Sequence, residues 1–336
     1  MKKFYDIKKE GDKTFIEIVP SRLPSLFKYQ SVNDYSVQAL LEHKIYGTTP
    51  SSFNDAYDTM FCYRESFLIK RIIELIPEER MKLYLKFFDV NTPKEVAKKI
   101  LEEVVVSLYK EFKMNYVVSC FSEDLFNDVM WGQYANRSSG FVLEYDGYEL
   151  FNAARATIEI YYYIREKKGF INLNKKKHVS IMPILYDNQK ANCEEFICNS
   201  LERVFEYYDG ECSRNNNYLL QNTKYHLPIS VFNTNQEELE QLFYNSICRK
   251  KKSWSYEKEW RIWSYNISSI YGIPDTYSEI CVNIKPKAIY LGENMSQFNR
   301  IAICAIAKEM QVPVYKMSTK MTKTKCKLIK QLIQPI

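Results

Sequence analysis

The stretch from Trp254 to Tyr265, W-S-Y-E-K-E-W-R-I-W-S-Y, places Glu257, Glu259 and Arg261 at alternate positions. Rich in aromatic residues and free of Gly and Pro, it predicts a strand along its whole length. Alternation then puts Glu257, Glu259, Arg261 and Trp263 on one face, with Tyr256, Lys258, Trp260 and Ile262 on the other. Two carboxylates and a guanidinium side by side repel unless they are matched, by each other or by something that binds. The plainer reading is a surface ion-pair ladder of the kind common on edge strands, worth little energetically. A chemical reading is that the same two acids, with Asp55 and Asp58, hold a divalent ion for a metal-dependent nuclease or hydrolase.

The elements that must position these residues can be read in order. Short strands are expected at Lys13 to Val19 and Ser25 to Gln30, split by a turn around Pro20 to Pro24. A helix follows from Asn33 or Asp34 to His43, and Ile45 to Asp58 reads as a structured polar loop. Residues Phe67 to Phe88 and Pro93 to Met114 form a helical pair, with Thr92 as N-cap, Pro93 in the first turn and Glu95 completing a capping box. Strands at Asn115 to Ser122 and Gly140 to Asp146 flank a short helical turn in which Met130, Trp131 and Tyr134 share a face, the ordinary signature of core packing. A strand at Val179 to Tyr186, helices at about Cys193 to Tyr208 and Glu237 to Lys252, and a mobile Asn-rich linker at Ser213 to Asn222 precede the central stretch. Strands at Glu279 to Ile284, Lys287 to Gly292 and Pro313 to Met317 close the sheet, with a helix from Gln297 to Met310 capped by Ser296.

This pattern predicts an α+β protein. Its sheet is central, mixed and largely antiparallel, with flanking helices, an inserted helical pair at 67–114 and a basic tail at 316–336, all in one domain of 336 residues. A composition 46% hydrophobic and 26% charged excludes a disordered chain. Nine cysteines without a C-x-x-C spacing give neither a zinc site nor a disulfide framework, and three histidines make a His-based metal site unexpected. The absence of a leader and of a long apolar run predicts a cytoplasmic protein with no membrane contact. The net charge is +6. Lys316, Lys320, Lys323, Lys325, Lys327 and Lys330 all follow the last acidic residue, Glu309, so the tail carries the whole excess. A lysine run is usually a solvated face, although it also suits nucleic acid.

Six segments resemble, in order, the bacterial domain-of-unknown-function family numbered 2971. They are L-F-K-Y-Q-S (Leu26 to Ser31), P-S-S-F-N-D (Pro50 to Asp55), S-C-F-S-E-D (Ser119 to Asp124), M-W-G-Q-Y-A (Met130 to Ala135), W-S-Y-E-K-E-W-R-I, and I-Y-L-G-E-N-M-S (Ile289 to Ser296). The family usually carries Arg where this chain has Gln30, so any anion held by that Arg must be held differently here.

The order of a K-Y strand, a helix, a polar loop and a late Glu-bearing strand also resembles the ADP-ribosyltransferase layout, especially DarT-like toxins that modify DNA. That resemblance implies a split sheet gripping NAD and an enzyme of the toxin or phage-defence kind, with a nucleic acid or protein acceptor. Glu259 would then stand beside the nicotinamide-side ribose, where a fixed negative charge stabilises an oxocarbenium-like transition state. Glu257 would orient the acceptor or act as its base. Lys28 and Tyr29 would meet the diphosphate or the adenine-side ribose, with Arg261 beside them in the cofactor site. Ser51, Ser52, Asn54 and Asp55 would line the nicotinamide side, and Trp131 or Tyr134 would stack on a ring. A non-catalytic nucleotide or nucleic-acid binding module is the alternative, with the aromatic face and the lysine tail as its contacts.

Overall fold

The computed structural model describes residues 5–10, 13–55, 57–155, 158–164, 169–177, 179–188, 190–213, 227–232, 236–265, 277–281, 283–323 and 326–334. In chain order it opens with β1 (Tyr5–Glu10), β2 (Lys13–Ile18), β3 (Leu26–Gln30), α1 (Asp34–Leu41), β4 (Ile45–Thr48) and β5 (Phe61–Cys62). Helices α2 (Glu65–Leu75), α3 (Glu78–Phe87) and α4 (Pro93–Met114) lead to β6 (Tyr116–Ser122), α5 (Asp128–Tyr134), β7 (Phe141–Tyr145) and α6 (Gly147–Arg155). Then come β8 (Ile158–Ile164), β9 (Gly169–Lys177), β10 (Val179–Pro183), β11 (Leu185–Tyr186), β12 (Ala191–Asn192), α7 (Glu194–Ser213) and α8 (Gln236–Ile247). The chain closes with β13 (Arg249–Lys250), β14 (Glu259–Tyr265), β15 (Tyr277–Cys281), β16 (Ala288–Leu291), α9 (Gln297–Met310), β17 (Val314–Met321) and β18 (Cys326–Gln334). Most of the Asn-rich linker expected at Ser213 to Asn222 lies outside the described residues.

The chain divides into two compact units. The first comprises Met1–Ser52, Tyr116–Asp187 and Lys250–Ile336, and the second Phe53–Asn115 and Asn188–Arg249. The expected helical pair therefore does not stand alone, because α7 and α8 belong to the same unit. Pro77 also divides the first expected helix into α2 and α3, since proline lacks the N–H that a continuous helix would need there.

The first unit is built on a ten-stranded sheet in the order β10-β14-β6-β3-β7-β16-β17-β18, with β4 bridging β15 and β6. Within this sheet, among the described residues, only β16 and β17 pair in parallel, through the α9 crossover, so the sheet is mixed and largely antiparallel as expected. It parts between β3 and β6, where Phe27 and Ser122 are the register partners, while β4 meets the same strand at Val118. Lys28 spans that notch, its Nζ donating to Ser119 Oγ at 2.5 Å and lying 5.1 Å from the Phe121 ring centre.

Alternation gives the sheet two distinct faces. One carries Leu26, Val117, Phe121, Leu143, Trp260, Ile262 and Ile289 into a core closed by Leu40 of α1, Leu150 of α6 and Ile303 and Ala307 of α9. The other packs Val142, Tyr290 and Met317 against Leu125, Trp131 and Ala135 around α5, and it also carries Cys120, Glu259 and Arg261. Helix starts follow the expected chemistry. Asn33 and Thr92 form capping boxes with Ser36 and Glu95, and Ser296 accepts from Asn299 N.

In the second unit α2, α3, α4, α7 and α8 surround an aromatic core that includes Tyr84, Phe112, Phe205, Tyr208 and Phe243. Tyr84 donates to Phe205 O and Tyr208 to Glu103 Oε2, both at 2.8 Å, so each buried hydroxyl is matched.

Three expectations need correction. The strand predicted over Trp254 to Tyr265 begins only at Glu259, because Lys252–Glu257 is a 3-10 turn and Lys258 takes a left-handed conformation with φ 45°. The polar loop expected from Ile45 starts later, since Ile45–Thr48 pairs with β15 as a strand and Pro50–Ser52 is a 3-10 turn. The basic tail is no free tail: β17 and β18 form a hairpin that extends the sheet.

Candidate active site

Glu257 and Glu259 converge by a route that strand alternation did not foresee. The left-handed Lys258 joins the 3-10 turn that carries Glu257 to the strand that starts at Glu259, and both carboxylates reach one ammonium. Lys250 Nζ lies 2.6 Å from Glu257 Oε2 and 2.9 Å from Glu259 Oε2. Arg261 closes the other side, with Nε 2.7 Å from Glu259 Oε1 and a second guanidinium nitrogen 3.2 Å from Oε2. All four residues are buried, Arg261 completely. The reading as a surface ladder on an edge strand is thereby corrected: β14 lies between β10 and β6, and the charges face inward.

The turn is gripped from several sides, mostly by the motif segments. Ser122 Oγ donates to Glu257 O at 2.6 Å, and Asn127 Nδ2 to Tyr256 O at 2.7 Å. Trp260 Nε1 donates to Glu123 Oε1 at 2.7 Å, and Lys258 Nζ lies 2.9 Å from Asp124 Oδ2. Tyr29 donates to Asp124 O at 2.6 Å and stands edge-on to Trp131. Behind α5, Asn136, Arg137 and Ser138 all have positive φ. These strained positions are fixed by Asn294, whose N and Nδ2 donate to Ser138 O and Arg137 O, and by Gly292 N donating to Gly140 O. A Cβ on Gly292 would sit 2.1 Å from Ser138 O, so this approach requires glycine.

Tyr134 at the end of α5 donates to Glu257 Oε1 at 2.5 Å, and Tyr186 accepts from Glu259 N at 2.7 Å. Lys250 Nζ also lies 5.1 Å from the Trp254 ring centre. Cys120 is the register partner of Arg261, and it remains exposed although Arg261 is fully buried. Solvent therefore meets the cluster at Cys120. Desolvation within its crowded surroundings and the Glu259 charge push this thiol up.

The proton affinities of the two glutamates are driven apart. Burial raises Glu257, the neighbouring Glu259 charge raises it further, and Lys250 and Tyr134 oppose both effects. Burial would raise Glu259 too, but Arg261 and Lys250 outweigh it and hold this carboxylate well below its usual range. One carboxylate is thus held in its ionised form, while its neighbour binds a proton more tightly than a free glutamate.

Residues 130–262 match the family described as Protein of unknown function (DUF2971). The expected resemblance is found over that stretch, and the matched segment contains Tyr134, Tyr186, Lys250, Glu257, Glu259 and Arg261, while Cys120 and Lys28 precede it. No curated protein and no solved structure matches the chain.

The other predicted site residues fall elsewhere. Lys28 contacts Ser119 and Phe121, on the opposite sheet face from Glu259, so the two do not meet. Gln30 has a buried Oε1 with no hydrogen-bond partner. Trp131 is core, its Nε1 bound to Leu125 O at 2.8 Å. Ser51 and Ser52 are exposed and bond locally to Thr49. In the second unit Asn54 is exposed, Asp58 is buried, and Asp55 is a buried turn residue accepting from Tyr57 N. Among the described residues no three His, Cys, Asp or Glu side chains converge to hold a metal ion. No described helix is long and apolar enough to cross a membrane.

Lys250, Tyr186 and Cys120 escaped the sequence reading. Lys250 sits in the run Arg249 to Lys252, where composition suggests a solvated helix end. The one available signal was electrostatic: two carboxylates and a single Arg leave a charge unmatched, which calls for a second cation.

Proposed function

We propose that the chain is an enzyme whose chemistry centres on Glu257 and Glu259, and that it cleaves the nicotinamide–ribose bond of NAD, passing ADP-ribose to an acceptor or to water. The observation that carries this reading is the convergence of the two buried glutamates on the Lys250 ammonium, with Arg261 on Glu259 alone, an asymmetry that drives their proton affinities apart. In the reaction the C1′–N bond breaks and nicotinamide leaves neutral. The acceptor oxygen bonds to C1′, and its proton passes to Glu257. Glu259, fixed in its ionised form by Arg261 and Lys250, would stabilise the oxocarbenium-like centre. Cys120 and Tyr134 would border the entry. Lys28 has no part in this version, since it belongs to the other face.

A second reading is favoured by the same quartet. Its formal charges cancel, and Glu259 already has two cationic partners, as a purely structural cluster in a nucleotide or nucleic-acid binding module would.

The test is incubation of wild type, Glu257→Gln and Glu259→Gln with labelled NAD plus DNA, RNA and cell lysate, following nicotinamide release and covalent label. Turnover by wild type that Glu259→Gln abolishes supports the enzyme. A folded wild type that releases no nicotinamide sinks it and leaves the binding module.

A further inference from the structure

We propose that the outer edge of β18, with the groove between it and α9, is a docking site for an extended acidic peptide strand of a partner protein. Strand β18 ends the sheet, and no other strand pairs with its outer edge among the described residues. Such an edge offers a row of backbone donors and acceptors to an incoming strand. This one contains no proline and exposes Ile329, Leu332 and Ile333.

Beside it runs an open groove of about 430 Å³, lined by Ile301, Cys304, Ala305 and Ile333 and flanked by Arg300 and Lys308. Gln334 Nε2 donates to Cys304 O at 3.1 Å and ties the strand end to the helix. Phe298 is 80% exposed and Ile301 60%, so the apolar stripe continues along α9 beyond the groove. Isolated exposed apolar residues mean little, but a continuous stripe next to an open strand edge marks an interaction surface.

Charge decides the occupant. Arg300 and Lys308 form no ion pair among the described residues. Across the hairpin Lys320 and Lys327 are register partners, an arrangement of like charges that costs stability until an anion lies over it. No acidic residue follows Glu309. A second copy of this chain is thereby disfavoured, since the only charges β18 brings to a self-pairing are Lys327 and Lys330. Nucleic acid would use the lysines but neither the backbone edge nor the apolar groove. An extended segment carrying both aliphatic and acidic side chains on its helix-facing side uses all three: its backbone pairs with β18, its aliphatic side chains enter the groove, and its carboxylates meet Arg300 and Lys308 at the rim of that groove.

The experiment is selection of a random twelve-residue peptide library on the full chain, followed by affinity measurement of the enriched peptides. Parallel measurements use the Arg300→Glu/Lys308→Glu variant, with circular dichroism confirming that it is folded. Peptides rich in both acidic and aliphatic residues, weakened at least tenfold by the double variant and by raised salt, support the proposal. Several results overturn it: no enrichment over the double variant, or enriched peptides without acids. Displacement of the peptide by a single-stranded oligonucleotide reassigns the surface to nucleic acid, and a concentration-dependent dimer in sedimentation reassigns it to a second copy.

Discussion

Glu257 and Glu259 flank a left-handed Lys258, and both reach Lys250 Nζ, at 2.6 and 2.9 Å. One buried ammonium thus joins two carboxylates that would otherwise repel in a medium of low dielectric.

Lys250→Met should lower stability by about 3–5 kcal/mol, the usual cost of removing one partner from a buried ion pair. Urea unfolding measures it, and adding Glu257→Gln should recover part of the loss by removing the stranded carboxylate. A change below about 1 kcal/mol would mean that the cluster behaves like an exposed pair.

The two glutamates should give opposite pH signatures. Glu257 holds its proton more tightly folded than unfolded, so its contribution is present below the unfolded carboxylate pKa and lost as pH rises through its raised folded value. Glu259 is depressed, so its contribution is present above the unfolded pKa and lost as pH falls through the folded one. Relative to wild type, Glu257→Gln should therefore gain stability as pH rises from acid to neutral. Glu259→Gln should show its largest deficit at neutral pH. Urea midpoints across that range check both, and parallel curves would refute the division of roles.

In the second unit, burial pushes Glu103 up to about 7, against the lowering effect of the Tyr208 hydroxyl. The same sign applies: stability held at low pH declines as pH rises through about 7. Glu103→Gln should flatten that decline, which thermal unfolding on either side of neutrality would detect.

Tyr134→Phe removes the hydrogen bond that lowers Glu257. If Glu257 accepts the acceptor's proton, the ascending limb of the rate profile should move to higher pH. The rate at neutral pH should fall by up to about tenfold, one hydrogen bond's worth. A uniform loss across the whole profile would instead point to a role in packing.

If the proposed chemistry holds, Cys120→Trp should stop nicotinamide release, with circular dichroism confirming that the variant is folded. Unimpaired release would show that substrate enters elsewhere.

Local chemistry was legible in the sequence. The helix starts at Asn33, Thr92 and Ser296 depend on side chains within a few residues of the backbone groups they satisfy. Alternation likewise identified β6, β7 and most of β14, and with them the α+β class and the acids Glu257 and Glu259. Tertiary structure decided the rest. The interruption at Lys258 depends on Ser122, Asn127 and Asp124, which are more than 120 residues away in the chain, and no local propensity contains them. Lys250 looks like its exposed neighbours until folding removes it from water. Lys28 and Glu259 were joined by analogy and separated by register, because a strand's side chains alternate between faces whatever their chemistry. Sequence names the charges; burial and register determine which of them meet, and so which can share a proton.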